Sequence, residues 1–375
     1  MKQELNLTEV EKSVLRFIRL NPGRSRVEIA ARLGLSKSML SKAVGTFEQT
    51  NLVAAERSRP GEGDRGQPPI KLSLNDSAFH SIGVYVTRRH CVTVLSDLGG
   101  RSKRCIASEG PFEGIVERVV SDIGELLAAS EAPVIGIGQS VPAIVRDDGS
   151  LFEIVPSQAG LPLMEIASAI RTTFGLPHFW ENAAYCAAGY EAHKPDGNRR
   201  CVFHLTLDYG VGGGLVMDGR IFRGAYNQAA NIGALIPETG PRPNLTDLAR
   251  HLAVPVERLD ERFIANLHAG GDPALLEWIG DRGHRLSEPL SSVVQLFNPD
   301  TIVIGGFLPR SVLEALLGAV TLDAHDIANR RPVLKPALCV SELLGPQGFA
   351  QAAALLPIGA QLMGLRVSAP PAASK

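Results

Sequence analysis

A Glu–Asn pair stands at a predicted strand-to-helix corner, which is a place where a protein can hold a polar ligand. The apolar run 176–180 before the pair predicts a buried strand, and the small residues 183–192 after it predict a helix. Glu181 and Asn182 are followed by Ala183, so no carboxylate stands where a general base would be useful. The corner can therefore hold a ligand, although a single amide at such a position is more often a cap than a ligand contact.

A glycine-rich segment, DYGVGGG at 208–214, lies between two strand-like stretches. A glycine loop that holds pyrophosphate opens a helix in dinucleotide-binding folds, whereas this segment leads into a further strand, Leu215–Met217. We interpret it as a hairpin turn. Two roles fit the spacing equally well: backbone N–H groups that face a phosphate, or glycines that supply the positive φ of a tight turn.

The composition predicts a chain of two or three domains with a basic N-terminal part. Of the 375 residues, 45% are apolar and 21% are charged, as in ordinary globular proteins. Residues 1–75 contain 13 Lys/Arg against 8 Asp/Glu, and the remainder contains 25 against 31. This asymmetry favours a basic module on a slightly acidic body.

Cysteine usage and the chain ends predict a cytoplasmic protein. The number of cysteines is odd and none forms a CxxC pair, which argues against a disulfide framework or a zinc ribbon; they are Cys91, Cys105, Cys186, Cys201 and Cys339. The N-terminus has no apolar run typical of a signal peptide. The apolar stretch 349–367 is interrupted by polar residues, glycine and proline, so it predicts a packed helix and no contact with a membrane.

The first 75 residues predict three helices. Thr8 and Glu11 form a capping-box pattern before the first helix, the second covers Arg26–Leu33, and Gly34 ends it as a C-cap glycine. Ser36 caps the third helix, whose inward positions are predicted to be Met39, Leu40, Val44 and Phe47. Two short helices joined by a turn with a glycine form a helix-turn-helix.

Polar residues on the third helix and on the following loop predict binding to DNA. In helix-turn-helix proteins the N-terminal half of the second helix enters the major groove. The strand-like pieces 52–56 and 70–74 flank a loop rich in Gly, Pro and Arg, which predicts the wing of a winged helix. The candidate DNA contacts are Arg26, Ser36, Lys37, Ser38, Ser41, Lys42, Arg57, Arg59 and Arg65. The alternative is a helical interaction module that does not bind DNA.

The rest of the chain resembles the ROK family of repressors and sugar kinases. Strand and helix patterns alternate from residue 79 onward, which predicts an α/β body. The matching stretches are GIGQSVPAIV, LDYGVGGGLVMDGRIFRGAYNQAANIGA and LFNPDTIVIGGFL, together with the run 160–191. The N-terminal SRVEIAARLGLSKSMLSKAV, with RGQPPIKLSLN after it, is similar to the DNA-binding part of the family's transcription regulators.

This resemblance implies a winged helix-turn-helix followed by an actin-like (ribonuclease H-like) α/β body of two lobes. The implied DNA-binding domain is 1–75, and the implied effector and oligomerisation domain is 76–368. Its first lobe comprises about 76–183 with the C-terminal helix 348–366, and its second lobe comprises 184–347.

Departures from the family's kinases imply that the body is not an enzyme. The kinases carry an Asp-rich phosphate loop, D-x-G-G-T, where this chain has Tyr85–Arg89. They read E-N-D at the corner described above, and their Asp takes the sugar hydroxyl proton; here that position is Ala183. A methyl group cannot accept a proton, so phosphoryl transfer would lack its base. The alternative is an ATP-dependent sugar kinase of the ROK type.

The family's sugar and zinc ligands are also replaced. A Glu and a His that touch the sugar correspond to Asn231 and Ala234, and Thr246 aligns with a further sugar-contacting Glu. The segment 237–251 lacks the family's zinc cysteines, so neither a metal nor a cofactor is expected. The neutral set that remains predicts a sugar- or polyol-like effector; its candidate contacts are Ser157, Gln158, Gly160, Glu181, Asn182, Asn231 and Thr246.

The sequence thus predicts a transcriptional regulator, in the form of a repressor, of carbohydrate-related genes. Its expected partner is a palindromic double-stranded DNA operator, bound by a homodimer or homotetramer. Its body is expected to sense the effector without catalysis. The remaining alternative is a regulator that a protein partner switches and that binds no small ligand.

Overall fold

The computed structural model describes residues 6–57, 70–155, 158–194, 199–237, 239–322, 325–326, 331–332 and 334–371. Three parts follow one another along the described chain: a helical head, a first lobe and a second lobe. None of the helices in these ranges is both long and apolar enough to cross a membrane.

The head is a helix-turn-helix with a small antiparallel sheet. It contains α1 (Glu9–Leu20), β1 (Arg24–Ser25), α2 (Arg26–Leu33), α3 (Lys37–Gln49), β2 (Val53–Arg57) and β3 (Ile70–Leu74), with strand order β1-β3-β2. The predicted capping box is present, since Thr8 accepts from the Glu11 N–H and Glu11 accepts from the Thr8 N–H. Gly34 ends α2 at φ 64°, a left-handed conformation that favours glycine. Local signals in the sequence therefore predicted these helix ends.

One inward position of α3 is predicted wrongly. Leu40, Val44 and Phe47 are buried as expected, but 46% of Met39 is exposed. Met39 lies beside the exposed Ser38, on the first turn of a helix that Ser36 caps. At the start of this helix, the exposed polar surface therefore includes one apolar side chain.

The first lobe is a five-stranded mixed sheet covered by helices. It contains β4 (His80–Val86), β5 (His90–Asp97), β6 (Ser102–Glu109), α4 (Ile115–Ala128), β7 (Val134–Val141), β8 (Ala143–Val145), β9 (Leu151–Ile154), α5 (Leu163–Phe174) and β10 (His178–Asn182). The strand order is β10-β7-β4-β5-β6, with β4, β5 and β6 antiparallel and β4, β7 and β10 parallel. The strands β8 and β9 form a separate hairpin.

The second lobe repeats this topology. Its helices are α6 (Ala183–Ala192), α7 (Leu245–His251), α8 (Glu261–Ala269), α9 (Pro273–Arg285), α10 (Ser287–Phe297) and α11 (Arg310–Gly318). Its strands are β11 (Cys201–Leu207), β12 (Val211–Met217), β13 (Arg220–Ile221), β14 (Thr301–Gly306), β15 (His325–Asp326), β16 (Arg331–Pro332) and β17 (Ala337–Val340). The main sheet has the order β13-β12-β11-β14-β17, the same pattern of three antiparallel and then two parallel strands.

The C-terminal helices return to the first lobe. They are α12 (Gly345–Ala353) and α13 (Leu355–Leu362), which pack on β4, β5 and β7. Two glycines make this approach possible, since a Cβ at Gly83 or Gly138 would lie 1.9 Å from the carbonyl oxygen of Ala350 or Ala353. Helix α12 therefore lies directly against the backbone of the first sheet.

The glycine-rich segment is a hairpin turn, as predicted. Strands β11 and β12 pair antiparallel around it, with Leu207 opposite Val211. Its glycines do not adopt positive φ, so that interpretation is wrong. A Cβ at Gly214 would lie 2.4 Å from the Ala184 carbonyl oxygen, and one at Gly213 would lie 2.3 Å from that of Ala230. Close packing of α6 and of the 230–232 segment on β12 explains these two glycines.

One apolar core connects the head to the body. Val14, Leu15 and Ile18 of α1 belong to the same buried cluster as Leu98 of the first lobe and Ile358 of α13. The head is therefore held by packing as well as by the chain connection at residues 75–79.

Candidate functional site

The N-terminal half of α3 presents a polar surface to solvent. Lys37, Ser38, Ser41 and Lys42 are exposed on it, as a DNA-contacting helix requires. The Ser36 hydroxyl accepts from the Met39 N–H at 3.2 Å and so caps the helix. The sequence correctly predicted which of these polar side chains would be exposed.

Of the remaining DNA candidates, one pairs with a neighbouring helix, one is exposed on a strand and two lie outside the described residues. Arg26 forms a 2.6 Å ion pair with Glu48 of α3, which braces the two helices. Arg57 is exposed at the end of β2. Arg59 and Arg65 lie outside the described residues.

The Glu–Asn corner is built largely by its own hydrogen bonds. Asn182 caps α6, since its Oδ1 accepts from the N–H groups of Ala184 at 2.9 Å and Tyr185 at 3.4 Å. Its Nδ2 donates to the Ala143 carbonyl at 3.0 Å. An amide nitrogen carries two hydrogens, and the second N–H of Asn182 has no acceptor among the described residues. Asn182 therefore caps α6 and can still donate one hydrogen bond to a ligand.

Glu181 is enclosed behind this corner. It is 1% exposed, its Oε2 accepts from Arg223 Nε at 3.1 Å and also from Nη2, and its Oε1 accepts from the Asn182 N–H at 2.9 Å. Burial raises the pKa of the carboxyl and the Arg223 charge opposes this rise. Because both oxygens accept from protein donors, Glu181 supports the corner and is not expected to contact an effector.

Three further candidates lie near the 208–214 turn or at the lobe junction. Thr246 is exposed and donates to the Tyr209 carbonyl at 3.0 Å. Asn231 is exposed, and its side chain forms no hydrogen bond with a described residue. Gln158 is buried, and its Oε1 accepts from the Arg88 N–H of the first lobe at 2.8 Å. Gly160 is exposed at φ 83°, and Ser157 lies outside the described residues.

A group of rings fills the junction between the lobes. We call it the aromatic cluster; it comprises Tyr85, His90, Tyr209, Phe307 and Phe349. Tyr85 of β4 stacks on Phe349 of α12 with ring centroids 5.1 Å apart, and Phe307 of the second lobe meets both rings edge-on or tilted. Tyr85 was noted in the sequence as a replacement, but its ring partners are distant along the chain and carry no local signal.

A half-buried carboxyl adjoins this cluster. Asp208 opens the glycine-rich turn and accepts from the Gly210 N–H at 2.7 Å. Burial raises its pKa from 3.8 to about 6, and the hydrogen bond opposes that rise. The carboxyl therefore favours its neutral form more than an exposed aspartate does.

Arg19 is a residue that the sequence analysis missed. It lies on α1 and is 3% exposed. Its guanidinium donates to the His193 carbonyl at 3.1 Å, to the Gly99 carbonyl at 3.2 Å and to the Leu98 carbonyl. Burial lowers its pKa to about 10, so it stays charged at neutral pH. The only hint in the sequence is a charge beside the apolar stripe of an amphipathic helix.

Family profiles match both parts of the chain. The ROK family profile matches residues 81–247, and the MarR family profile matches residues 5–62. The sequence is 28% identical to the uncharacterised protein y4fQ of Sinorhizobium fredii, over 87% of this chain and 85% of that protein. It is 23% identical to the xylose repressor of Bacillus subtilis, over 85% of this chain and 86% of that protein.

Solved structures show the same fold. A ROK family transcriptional regulator, a homologue of the Escherichia coli Mlc protein, superposes with a TM-score of 0.67 at 20% identity, over 95% of this chain and 98% of that one. The ROK hexokinase of Thermus thermophilus superposes with a TM-score of 0.53 at 25% identity, over 74% of this chain and 97% of that one. The chain thus carries a ROK family domain behind a MarR-type winged helix-turn-helix domain, which confirms the resemblance and the predicted fold class.

Proposed function

We propose that this protein is a cytoplasmic transcriptional repressor of carbohydrate-related genes whose body responds to a sugar or polyol. The observation that carries the proposal is the exposed polar start of α3 on a head that is packed onto a ROK body. The similarity to the xylose repressor extends over most of both chains and therefore supports this arrangement as a whole.

We further propose that the body does not transfer phosphate. Ala183 is 9% exposed at the corner and has no group that accepts a proton. The ring of Tyr85 is buried in the aromatic cluster, at the position where the family's kinases carry an acidic phosphate loop. A coupled ADP-release assay with a panel of hexoses should read at background. Sugar-dependent turnover of about 1 per second or faster would instead establish the kinase alternative.

The proposed effector site lies between the Asn182 corner and the 208–214 turn. Asn182 keeps one free N–H, and the exposed Asn231 amide and Thr246 hydroxyl lie on the second lobe. Gln158, Gly160 and Ser157 belong to the loop expected at the ligand's edge. These groups are neutral, which suits the hydroxyl groups of a sugar or polyol.

We propose that the protein binds a palindromic operator as a homodimer or homotetramer, because a single winged helix covers few bases. We also propose the domain boundaries 1–75 and 76–368, with the lobes divided at about 183. The shared core around Leu15 and Ile358 means that the two domains support each other across this boundary.

DNA-binding titrations test the proposal directly. Fluorescence anisotropy with DNA from the region upstream of the protein's own gene should give a specific complex, which at least one sugar or polyol in a panel releases. Lys42→Ala should weaken binding to all sequences alike and lower the salt slope by about 1, as loss of a phosphate contact does. Ser38→Ala or Ser41→Ala should change sequence preference instead.

Arg262→Ala is the matched control, since Arg262 is exposed on α8 and forms no ion pair with a described residue. It should leave DNA affinity unchanged. Loss of binding in this variant, or full binding by a fragment without residues 1–75, would contradict the assignment of the head. Operator binding that no sugar or polyol changes would support the partner-switched alternative.

A further inference from the structure

A cavity of about 490 Å³ lies where the head meets the body. Its walls come from α1, α6, the β12–β13 hairpin, the α12–α13 region and the segment 363–367. The effector candidates discussed above do not line it. Its volume falls within the range of small-molecule sites, about 300–1,000 Å³. The cavity is therefore a candidate ligand site that is separate from the proposed effector site.

The lining of this junction cavity is largely apolar. Ile221 and Phe222 of the hairpin face Leu355, Met363 and Leu365 of the C-terminal segment. Such side chains favour an alkyl or aromatic group, which gains about 25 cal/mol for each Å² removed from water. A ligand for this space needs an apolar body.

Arginines surround the same space. Arg223 is paired with Glu181, and Arg366 is paired with Asp147 at 3.0 Å. Arg220 also lines the cavity; its backbone pairs with Met217, but its guanidinium forms neither a hydrogen bond nor an ion pair with a described residue. A guanidinium without a carboxylate partner is a ready site for an anion.

A second cation approaches Arg220 from the head. Arg16 of α1 likewise forms no ion pair with a described residue. Burial lowers the pKa of Arg16 and the charge of Arg220 lowers it further, whereas the carboxylate of Glu9 opposes this fall. Two like charges thus repel each other across the junction, and an anion between them would relieve that repulsion.

A buried polar atom also faces this space. His193 lines the cavity and is 4% exposed. Its Nδ1 lies 2.8 Å from the Gly189 carbonyl, and its Nε2 lies beside the backbone of Gly219, with which it interacts. Burial lowers its pKa to about 4, so the ring is neutral at neutral pH. This part of the cavity wall is therefore polar but uncharged.

We propose that the junction cavity binds a small amphipathic organic anion, with its carboxylate at Arg220 and its apolar body against Ile221, Phe222 and Leu355. Such a ligand would contact α1 of the head and the hairpin of the second lobe at once. Its binding would bias the orientation of the head, and hence operator binding, from a site separate from the proposed sugar site.

Calorimetric titration of the full chain with 4-phenylbutyrate and with its uncharged amide tests the proposal. The acid should bind at one site per chain and at least about tenfold more tightly than the amide, since only the acid forms a charge-assisted contact. Arg220→Gln should abolish this preference without unfolding the protein, because Arg220 is exposed. Arg262→Gln removes the same charge far from the cavity and should leave the preference intact.

A second variant tests the position of the site. Gly189 lies on α6 in the cavity wall, and a Cβ there meets only Ile221 Cδ1, at 3.8 Å. Gly189→Leu should therefore fill the cavity, keep the helix and abolish binding of the acid.

Four results would overturn the proposal. Three concern affinity: equal affinity for acid and amide in the wild type, unchanged affinity for the acid in Gly189→Leu, and no binding of the acid up to about 10 mM. The fourth is a change of oligomer mass in Gly189→Leu by sedimentation, which would show that a second copy of the chain covers this surface.

Discussion

The first lobe meets the second lobe and the head through two buried junctions of different construction. Between the lobes, the aromatic cluster fills the space, with ring centroids 5.1–6.3 Å apart. At the head, one buried guanidinium donates to three backbone carbonyls, and a cavity of about 490 Å³ lies beside it. The first junction is packed by rings, whereas the second combines the apolar core around Leu15 and Ile358 with directed hydrogen bonds next to open space.

This difference indicates where the molecule can move. Close-packed interiors resist small displacements, so the lobes are expected to keep their relative position. Hydrogen bonds to a single Arg19 side chain can be exchanged for water, and the adjoining cavity leaves room for a shift. We therefore expect regulation to act chiefly on the orientation of the head.

Removal of Phe349 should produce the largest loss of stability. Phe349→Ala deletes the ring that stacks on Tyr85 and leaves a cavity between the lobes, so we expect the free energy of unfolding to fall by about 3–5 kcal/mol. Urea unfolding followed by circular dichroism measures this change. Phe152→Ala is the control, because Phe152 is 51% exposed and should cost far less. Similar losses in the two variants would mean that the aromatic cluster does not hold the lobes together.

Replacement of Arg19 should be the next largest effect and should act on the head. Arg19→Met keeps the length of the side chain but leaves the carbonyls of Leu98, Gly99 and His193 without their donor. We expect a loss of about 3 kcal/mol, with faster hydrogen exchange in α1 than in β4. Arg101→Met is the control, since Arg101 is exposed and pairs only at the surface with Asp76. Uniform acceleration of exchange in both elements would show that the head and lobes open as one unit.

The sequence predicted the parts of this comparison that depend on near neighbours. The capping box at Thr8, the C-cap at Gly34 and the hairpin at 208–214 follow from residues within a few positions of each other. The partners of Arg19 and Tyr85 lie 79–264 positions away, so no local pattern marks them. The cap that Asn182 forms on Ala184 and Tyr185 is local and was foreseen as a general alternative. Its bond to Ala143 depends on how β8 meets α6 and has no local signal.

The lobe junction should weaken as the pH rises through the titration of Asp208. An exposed aspartate has a pKa of 3.8, whereas burial raises the pKa of Asp208 in the folded protein to about 6. The folded state holds the proton of Asp208 more tightly than the unfolded state does, so protonation stabilises the folded protein. This contribution to the free energy of unfolding is complete below pH 4 and is lost as the pH rises through about 6. At pH 8, Asp208→Asn should thus be more stable than wild type by about 1–2 kcal/mol, less than the full shift implies because Asp208 is only half-buried.

The measurement is the difference between two stability curves over pH 4–8, since the buried histidines affect both curves equally. The gap between the variant and the wild type should close as the pH falls towards 4. Glu113→Gln removes an exposed carboxylate and should give no such difference. A constant gap at every pH would mean that Asp208 is ionised throughout.

The smallest expected effect concerns Asn182, whose amide serves both α6 and the proposed effector. Asn182→Ala removes the cap and should lower the free energy of unfolding by about 1 kcal/mol, and it also removes the free N–H. Asn182→Asp separates the two roles, because its carboxylate still accepts from Ala184 and Tyr185 but can donate neither to a ligand nor to the Ala143 carbonyl. Calorimetric titration with the sugar or polyol that releases DNA should show weakening by about 1–3 kcal/mol in both variants. Unfolding by urea should show lost stability in both variants, because both lose the bond to the Ala143 carbonyl, but only Asn182→Ala also loses the helix cap. Effector affinity that falls only in Asn182→Ala would assign the loss to the helix cap, and the amide would then belong to the rigid lobe junction and not to a ligand site.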